Sequence, residues 1–139
     1  MTATAADRRI QARNPGKLTP AKVKVSTTIY GGSLVARLTS DGLVQPATDE
    51  ASITFAGVAR ERTVGNSAGT TPIELYQAGD FQFAFSGTAS EATCGVAVYC
   101  VDDQTVALAA TTTNDLPVGK VVEFLSASSV MVRITGYAF

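Results

Sequence analysis

The chain has 139 residues, of which 45% are hydrophobic and 17% charged, with no histidine and no tryptophan. This length suits one domain with a core of its own, and the composition excludes an intrinsically disordered chain. A chain without histidine lacks the most common general base and metal ligand, so we expect no enzymatic activity, no cofactor and no metal site. It also lacks an apolar run long enough to cross a bilayer and the apolar core of a secretory signal, so we expect no membrane partner and assembly in the cytoplasm.

Charge is distributed unevenly along the chain. Residues 1–24 carry six basic side chains and one acidic one, whereas the remaining residues carry five basic and eleven acidic ones. The first 22 residues also lack apolar periodicity and contain breaker pairs such as Asn14-Pro15 and Thr19-Pro20. We therefore interpret residues 1–22 as an extended basic N-terminal arm and residues 23–139 as a single β domain.

The arm has three interpretations. It is a solvated terminus, a segment that binds nucleic acid phosphates, or a segment that orders on a protein with an acidic surface. The acidic body would repel a duplex, which argues against nucleic acid as a partner. We favour the protein partner, and the candidate contact residues are Arg8, Arg9, Arg13, Lys17 and Lys22.

Beyond the arm, apolar residues alternate with polar ones, as they do in half-buried strands. The clearest cases are Phe81, Phe83 and Phe85, followed by Val130 and Val132. Strands are predicted, in chain order, at residues 22–25, 34–38, 55–60, 73–77, 81–85, 96–101, 106–109, 121–125 and 130–134. Turns rich in Gly, Asp and Asn separate these runs, and helix is limited to a single turn near Ser90. The pattern predicts an all-β fold, either a small sandwich or a partly open barrel of short strands.

The body contains a weak internal repeat. The order Gly32-Ser33-Leu34-Val35, turn, Val44, Ala56-Gly57-Val58 returns about sixty residues later as Gly95-Val96-Ala97-Val98, turn, Val106, Val118-Gly119-Lys120. This order predicts two related β lobes that share one core. The alternative is that any β chain rich in Gly, Val and Asp yields such matches by chance.

Few residues suggest chemistry. Asp102-Asp103 is an adjacent carboxylate pair, but neighbours on a strand face opposite ways and Asp-Asp is common in turns. If Cys94 and Cys100 lie on one strand they are roughly 20 Å apart, so we expect two reduced thiols. The three phenylalanines at 81–85 are expected in the core. We expect no small-molecule substrate.

The turn and strand motifs resemble those of the small decoration proteins that cement the heads of tailed bacteriophages, and more loosely the lambda-type decoration protein. The resemblance covers roughly residues 23–139 and rests on these motifs: Gly32-Ser33-Leu34-Val35 with Asp41-Gly42-Leu43-Val44 and Pro46-Ala47, Phe55-Ala56-Gly57-Val58-Ala59, Ile73-Glu74-Leu75-Tyr76-Gln77-Ala78-Gly79-Asp80-Phe81, Gly95-Val96-Ala97-Val98-Tyr99 with Asp102, and Pro117-Val118-Gly119-Lys120-Val121. The longer C-terminal half and the missing tryptophan depart from the lambda-type pattern.

The resemblance implies a β-rich structural protein of the virion that forms homo-oligomers, with trimers favoured. It would bind the exterior of the expanded capsid and bridge capsomers, and its arm would lie on the major capsid protein. The alternatives are another phage component, such as a tail-tube or head-completion protein, and a sugar-binding adhesin module. The missing tryptophan and secretory signal disfavour the adhesin.

Overall fold

The computed structural model describes residues 18–134, which form twelve β-strands and one short 3₁₀ turn. This confirms the predicted all-β fold. The elements are, in chain order, β1 (Leu18–Lys22), β2 (Thr28–Ile29), β3 (Leu34–Leu38), β4 (Val44–Pro46), β5 (Ile53–Ala59), β6 (Thr63–Val64), β7 (Pro72–Tyr76), β8 (Gly79–Phe85), the 3₁₀ turn (Glu91–Thr93), β9 (Ala97–Cys100), β10 (Thr105–Ala107), β11 (Pro117–Ser126) and β12 (Ser129–Ile134).

Ten of these strands form two five-stranded units, which we call lobe 1 (residues 18–76) and lobe 2 (residues 79–134). Lobe 1 is a sheet with the strand order β1-β7-β5-β3-β4, and lobe 2 is a closed barrel with the order β10-β8-β12-β11-β9. Strands β2 and β6 form a separate two-stranded ribbon. A sheet packed on a small barrel agrees with the predicted sandwich or partly open barrel.

Strand β1 begins inside the segment that the sequence analysis assigned to the arm. Leu18–Lys22 pair with Pro72–Tyr76 of β7 in an antiparallel ladder. Pro20 lacks an N–H group, but β1 lies at the end of the sheet order, where a strand bonds along one side only. The proline and the flanking lysines conceal this short strand in the sequence. The β body therefore includes residues 18–22, and residues 1–17 and 135–139 lie outside the described range.

The two lobes have the same topology, in agreement with the predicted repeat. The strands β1, β3, β4, β5 and β7 of lobe 1 correspond in chain order to β8, β9, β10, β11 and β12 of lobe 2. Read from the third strand of each set, the spatial order is β4-β3-β5-β7-β1 in lobe 1 and β10-β9-β11-β12-β8 in lobe 2. Both orders are third, second, fourth, fifth, first. Those neighbours are antiparallel in both lobes. The first and third strands meet in parallel, through pairs between β8 and β10 and through one bridge, Val23 to Val44, in lobe 1.

The pairing register is also shared. Val35 lies opposite Gly57 and Val98 opposite Gly119, and in each lobe the residue before the glycine is bulged out of the ladder. The other matched pairs are Leu34–Val58 with Ala97–Lys120, Ala36–Phe55 with Tyr99–Pro117, and Arg37–Val44 with Cys100–Val106. Matches this regular identify the sequence repeat as a structural one.

Two apolar clusters fill the molecule. One lies inside lobe 1 and includes Val35 and Leu75. The other contains the barrel interior together with side chains of lobe 1, including Leu34 and Phe55. Because successive residues of a strand face opposite ways, Val35 points into lobe 1 while its neighbour Leu34 points to lobe 2. The sheet of lobe 1 is therefore covered on both faces, and the two lobes share a core.

Candidate interaction surfaces

The five residues predicted to contact a partner fall mostly outside the described residues. Arg8, Arg9, Arg13 and Lys17 belong to residues 1–17 and receive no structural account. Lys22 ends β1, opposite Pro72, with an exposed side chain. Its position leaves it accessible to a partner, and the structure does not test the role predicted for any of the five.

The point where residues 1–17 join the body lies at the junction between the lobes. Leu18 is opposite Tyr76, the last residue of β7, and β8 begins three residues later. The ring of Tyr76 packs on that of Phe81 in β8, with 5.6 Å between the centroids. Nearby, Thr19 Oγ1 donates to Gln77 Oε1 at 2.9 Å, which ties β1 to the crossing. The described body therefore begins beside the crossing between the two lobes.

The described residues carry an excess of negative charge. Residues 18–134 contain seven basic and eleven acidic side chains, whereas residues 1–17 contain four basic and one acidic. Within residues 18–134 two ion pairs form, Arg60 with Glu74 at 3.0 Å and Arg133 with Asp80 at 2.7 Å. The hydrogen bond from Arg133 lowers the pKa of Asp80. Nine of the eleven acidic side chains in residues 18–134 therefore form no ion pair with a basic side chain of that range.

Asp49 links the loops of the two lobes. Its Oδ2 accepts the N–H of Thr113 and its Oδ1 the N–H of Asn114, both at 2.8 Å, while Asn114 Nδ2 donates to the carbonyl of Asp49 at 3.0 Å. The bond from Thr113, followed by that from Asn114, lowers the pKa of Asp49. A second link joins the lobes where the N–H of Leu34 donates to the carbonyl of Asp103 at 2.7 Å. Both links hold the lobes in one arrangement.

A polar cleft of about 340 Å³ lies beside the second link. It is lined by Tyr30, residues 31–33, Asp103 and Gln104. Burial, followed by the charge of Asp102, raises the pKa of Asp103. The lining contains a single carboxylate, so the cleft lacks the carboxylate pair that glycoside hydrolysis uses. Asp102 instead accepts the N–H of Gln104 at 2.9 Å, which is the turn role expected for it.

The two cysteines are free thiols, as predicted. Cys100 is buried in the barrel, and burial together with nearby carboxylates, first Asp102, raises the pKa of its thiol to about 12. Phe83 and Phe85 also lie in the core, as expected, and Phe81 packs against it. Among residues 18–134 no three His, Cys, Asp or Glu side chains cluster closely enough to hold a metal ion.

The sequence analysis missed one surface, the outward face of β9 and β11 in lobe 2. Ala97, Tyr99 and Pro117 on this face are partly exposed, and Lys120 is exposed. The internal repeat is the signal that points to this face, because the matching face of lobe 1 is buried against lobe 2. Finding it required the pairing register as well as the sequence.

No helix in the described part of the chain has the length and apolar character needed to span a membrane. No protein-family model matches the sequence, and comparison with curated proteins gives no match.

Proposed function

We propose that the protein is a structural component of a tailed-phage virion, which binds the outer surface of the expanded capsid and cements neighbouring capsomers. The resemblance of its turn and strand motifs to head-decoration proteins suggests this role. The two-lobed β body suits it, because a shared core and hydrogen bonds between the lobes give a bridging protein one defined shape. Its partners would be the major capsid protein and further copies of this chain, with a trimer favoured.

The separation of charge along the chain is the observation that carries the proposal. A basic segment, residues 1–17, is attached to a body with an acidic excess, at the crossing between its two lobes. The body would repel an acidic shell, so the attraction has to come from the segment. Arg8, Arg9, Arg13 and Lys17, with Lys22 at the end of β1, are therefore the proposed capsid contacts.

Cementing needs only binding energy. An oligomer that engages several capsomers at once converts weak single contacts into high avidity. Because it binds the assembled shell in preference to free subunits, it shifts the equilibrium toward the assembled shell and helps it resist the pressure of packaged DNA.

The test compares two truncations and a charge variant in a pelleting assay with undecorated, expanded phage heads. Deletion of residues 1–17 keeps β1 and should leave the body folded but abolish or greatly weaken capsid binding. Deletion through Lys22 removes the strand that pairs with β7, so it should also lower the unfolding temperature and is not a clean test. Full-length protein with Gln at positions 8, 9, 13 and 17 should bind weakly.

The matched control is full-length protein with Arg60→Gln and Arg62→Gln, which removes positive charge from the body alone. It should bind heads like the wild type. Undiminished binding by the protein lacking residues 1–17 would rule out the arm as the capsid contact. Assembly of the purified protein into tubes would instead favour a tail-tube role, and retention on a glycan array would favour an adhesin.

A further inference from the structure

The two lobes differ in one matched surface. In lobe 1, Leu34, Ala36, Phe55 and Val58 point away from the lobe's own core, and none is more than 4% exposed. All four belong to the cluster formed with the barrel of lobe 2. This face of lobe 1 is therefore an interface, and a second five-stranded unit covers it.

The matched face of lobe 2 is only partly covered by the described residues. Its four equivalent side chains, defined by the shared register, are Ala97, Tyr99, Pro117 and Lys120. None of them is buried. Positions that are buried in lobe 1 are thus partly or fully exposed in lobe 2.

This open face keeps an apolar character. Three of its four matched residues are Ala, Tyr and Pro. Two exposed apolar side chains lie at its border, Leu108 (39% exposed) directly after β10 and Val122 (37%) in β11. A terminal lobe whose outer face contacted only solvent would be expected to carry polar residues there, as the terminal units of repeat proteins do.

We propose that a second copy of this chain packs on the open face of lobe 2 and presents its lobe 1. In the intact chain, the covering lobe places its β9–β10 turn against β3, where the backbone carbonyl of Asp103 accepts the N–H of Leu34. The equivalent turn of lobe 1 is the β3–β4 turn, which carries the exposed Asp41. That carboxylate complements Lys120, the charged residue that stands at the position of buried Val58.

The two contacting surfaces differ, so the association runs head to tail. Such contacts either close into a ring or grow into a filament. A ring of three copies would place six lobes of one topology around its axis. The inference rests on the proposed function only for the use of this oligomer on a head, and its test needs no heads.

The test is sedimentation velocity of full-length variants across a range of concentrations. Lys120→Glu and Ala97→Arg should each raise the dissociation constant by about tenfold or more, because they place a like charge or a bulky cation in the contact. Combining Lys120→Glu with Asp41→Lys should restore association. Val64→Arg, on the ribbon of lobe 1, is the matched control and should associate like the wild type.

Each variant should unfold at the same temperature as the wild type, which would show that its body stays folded. A monomeric wild-type protein at every concentration would overturn the proposal, as would an oligomer that neither Lys120→Glu nor Ala97→Arg weakens. Association through this face without binding to heads would overturn the proposed function and leave the self-association standing. Head binding by a strictly monomeric protein would overturn the self-association and leave the proposed function standing.

Discussion

Asp49 is the residue whose charge contributes most directly to holding the lobes together. We expect Asp49→Asn to lower the free energy of unfolding by about 1 kcal/mol at neutral pH, because the new amide places an N–H group opposite an N–H donor of lobe 2. The folded-state pKa of Asp49 is lowered, so its contribution is present above the unfolded pKa of about 3.9 and is lost as the pH falls through the folded value. Urea denaturation at several pH values measures both effects.

The difference in free energy of unfolding between Asp49→Asn and the wild type should therefore shrink as the pH drops below about 4. Glu91→Gln, an exposed change on the 3₁₀ turn, should show no gap at any pH. A gap for Asp49→Asn that stays constant down to acid pH would mean that the carboxylate charge does not hold the loops.

Sequence alone could not assign this role to Asp49. In the sequence Asp49 is only one of two neighbouring acidic residues, Asp49-Glu50, and its hydrogen-bond partners lie 64 and 65 positions away. The phenylalanines were easier to predict, because alternation within one strand already indicates which side chains face a core.

At the scale of elements, the matched strands β5 and β11 depend on Gly57 and Gly119. A Cβ at either position would collide with a backbone carbonyl oxygen of the next strand, that of Tyr76 or Arg133. Gly57→Ala and Gly119→Ala should each lower the free energy of unfolding by about 3 kcal/mol, since a strand has to move to admit the methyl group. Urea denaturation of the two variants measures this.

Gly42→Ala is the matched control. Gly42 has a φ of +78°, but nothing lies within 4 Å of the position its Cβ would take. It should lose only about 1 kcal/mol, the cost of a left-handed backbone. Equal losses at positions 42, 57 and 119 would show that the close strand approach is unimportant.

Most strands were predictable because each one alternates between a core and an outer face. The exceptions have physical reasons. Strand β1 carries a proline and a lysine that suit an edge position. Strands β2, β4 and β6, of two or three residues each, are too short to show a period. The repeat was visible from Gly57 and Gly119 and their neighbours, but pairing between distant strands, and hence the closure of one lobe into a barrel, required the structure.

For the whole molecule, the shared core predicts that the two lobes unfold together. Val58→Lys copies into lobe 1 the residue that lobe 2 carries at the matched position. It should lower the free energy of unfolding by about 3 kcal/mol or more, because it buries an unpaired charge between the lobes. Hydrogen exchange measured by mass spectrometry should detect faster global exchange in the strands of both lobes.

Lys120→Val, the reverse exchange on the open face, should leave the stability of the monomer nearly unchanged. If Val58→Lys accelerated exchange in lobe 1 while lobe 2 kept its protection, the lobes would be independent domains rather than one cooperative unit.

The most direct measurement of the proposed role is to mix purified protein with undecorated, expanded phage heads, pellet the heads and image them by electron microscopy. The account predicts regular added density at symmetry-related positions on the outer surface, with two lobes per copy and residues 1–17 directed toward the shell. Intact heads that remain bare in the presence of folded protein would contradict it.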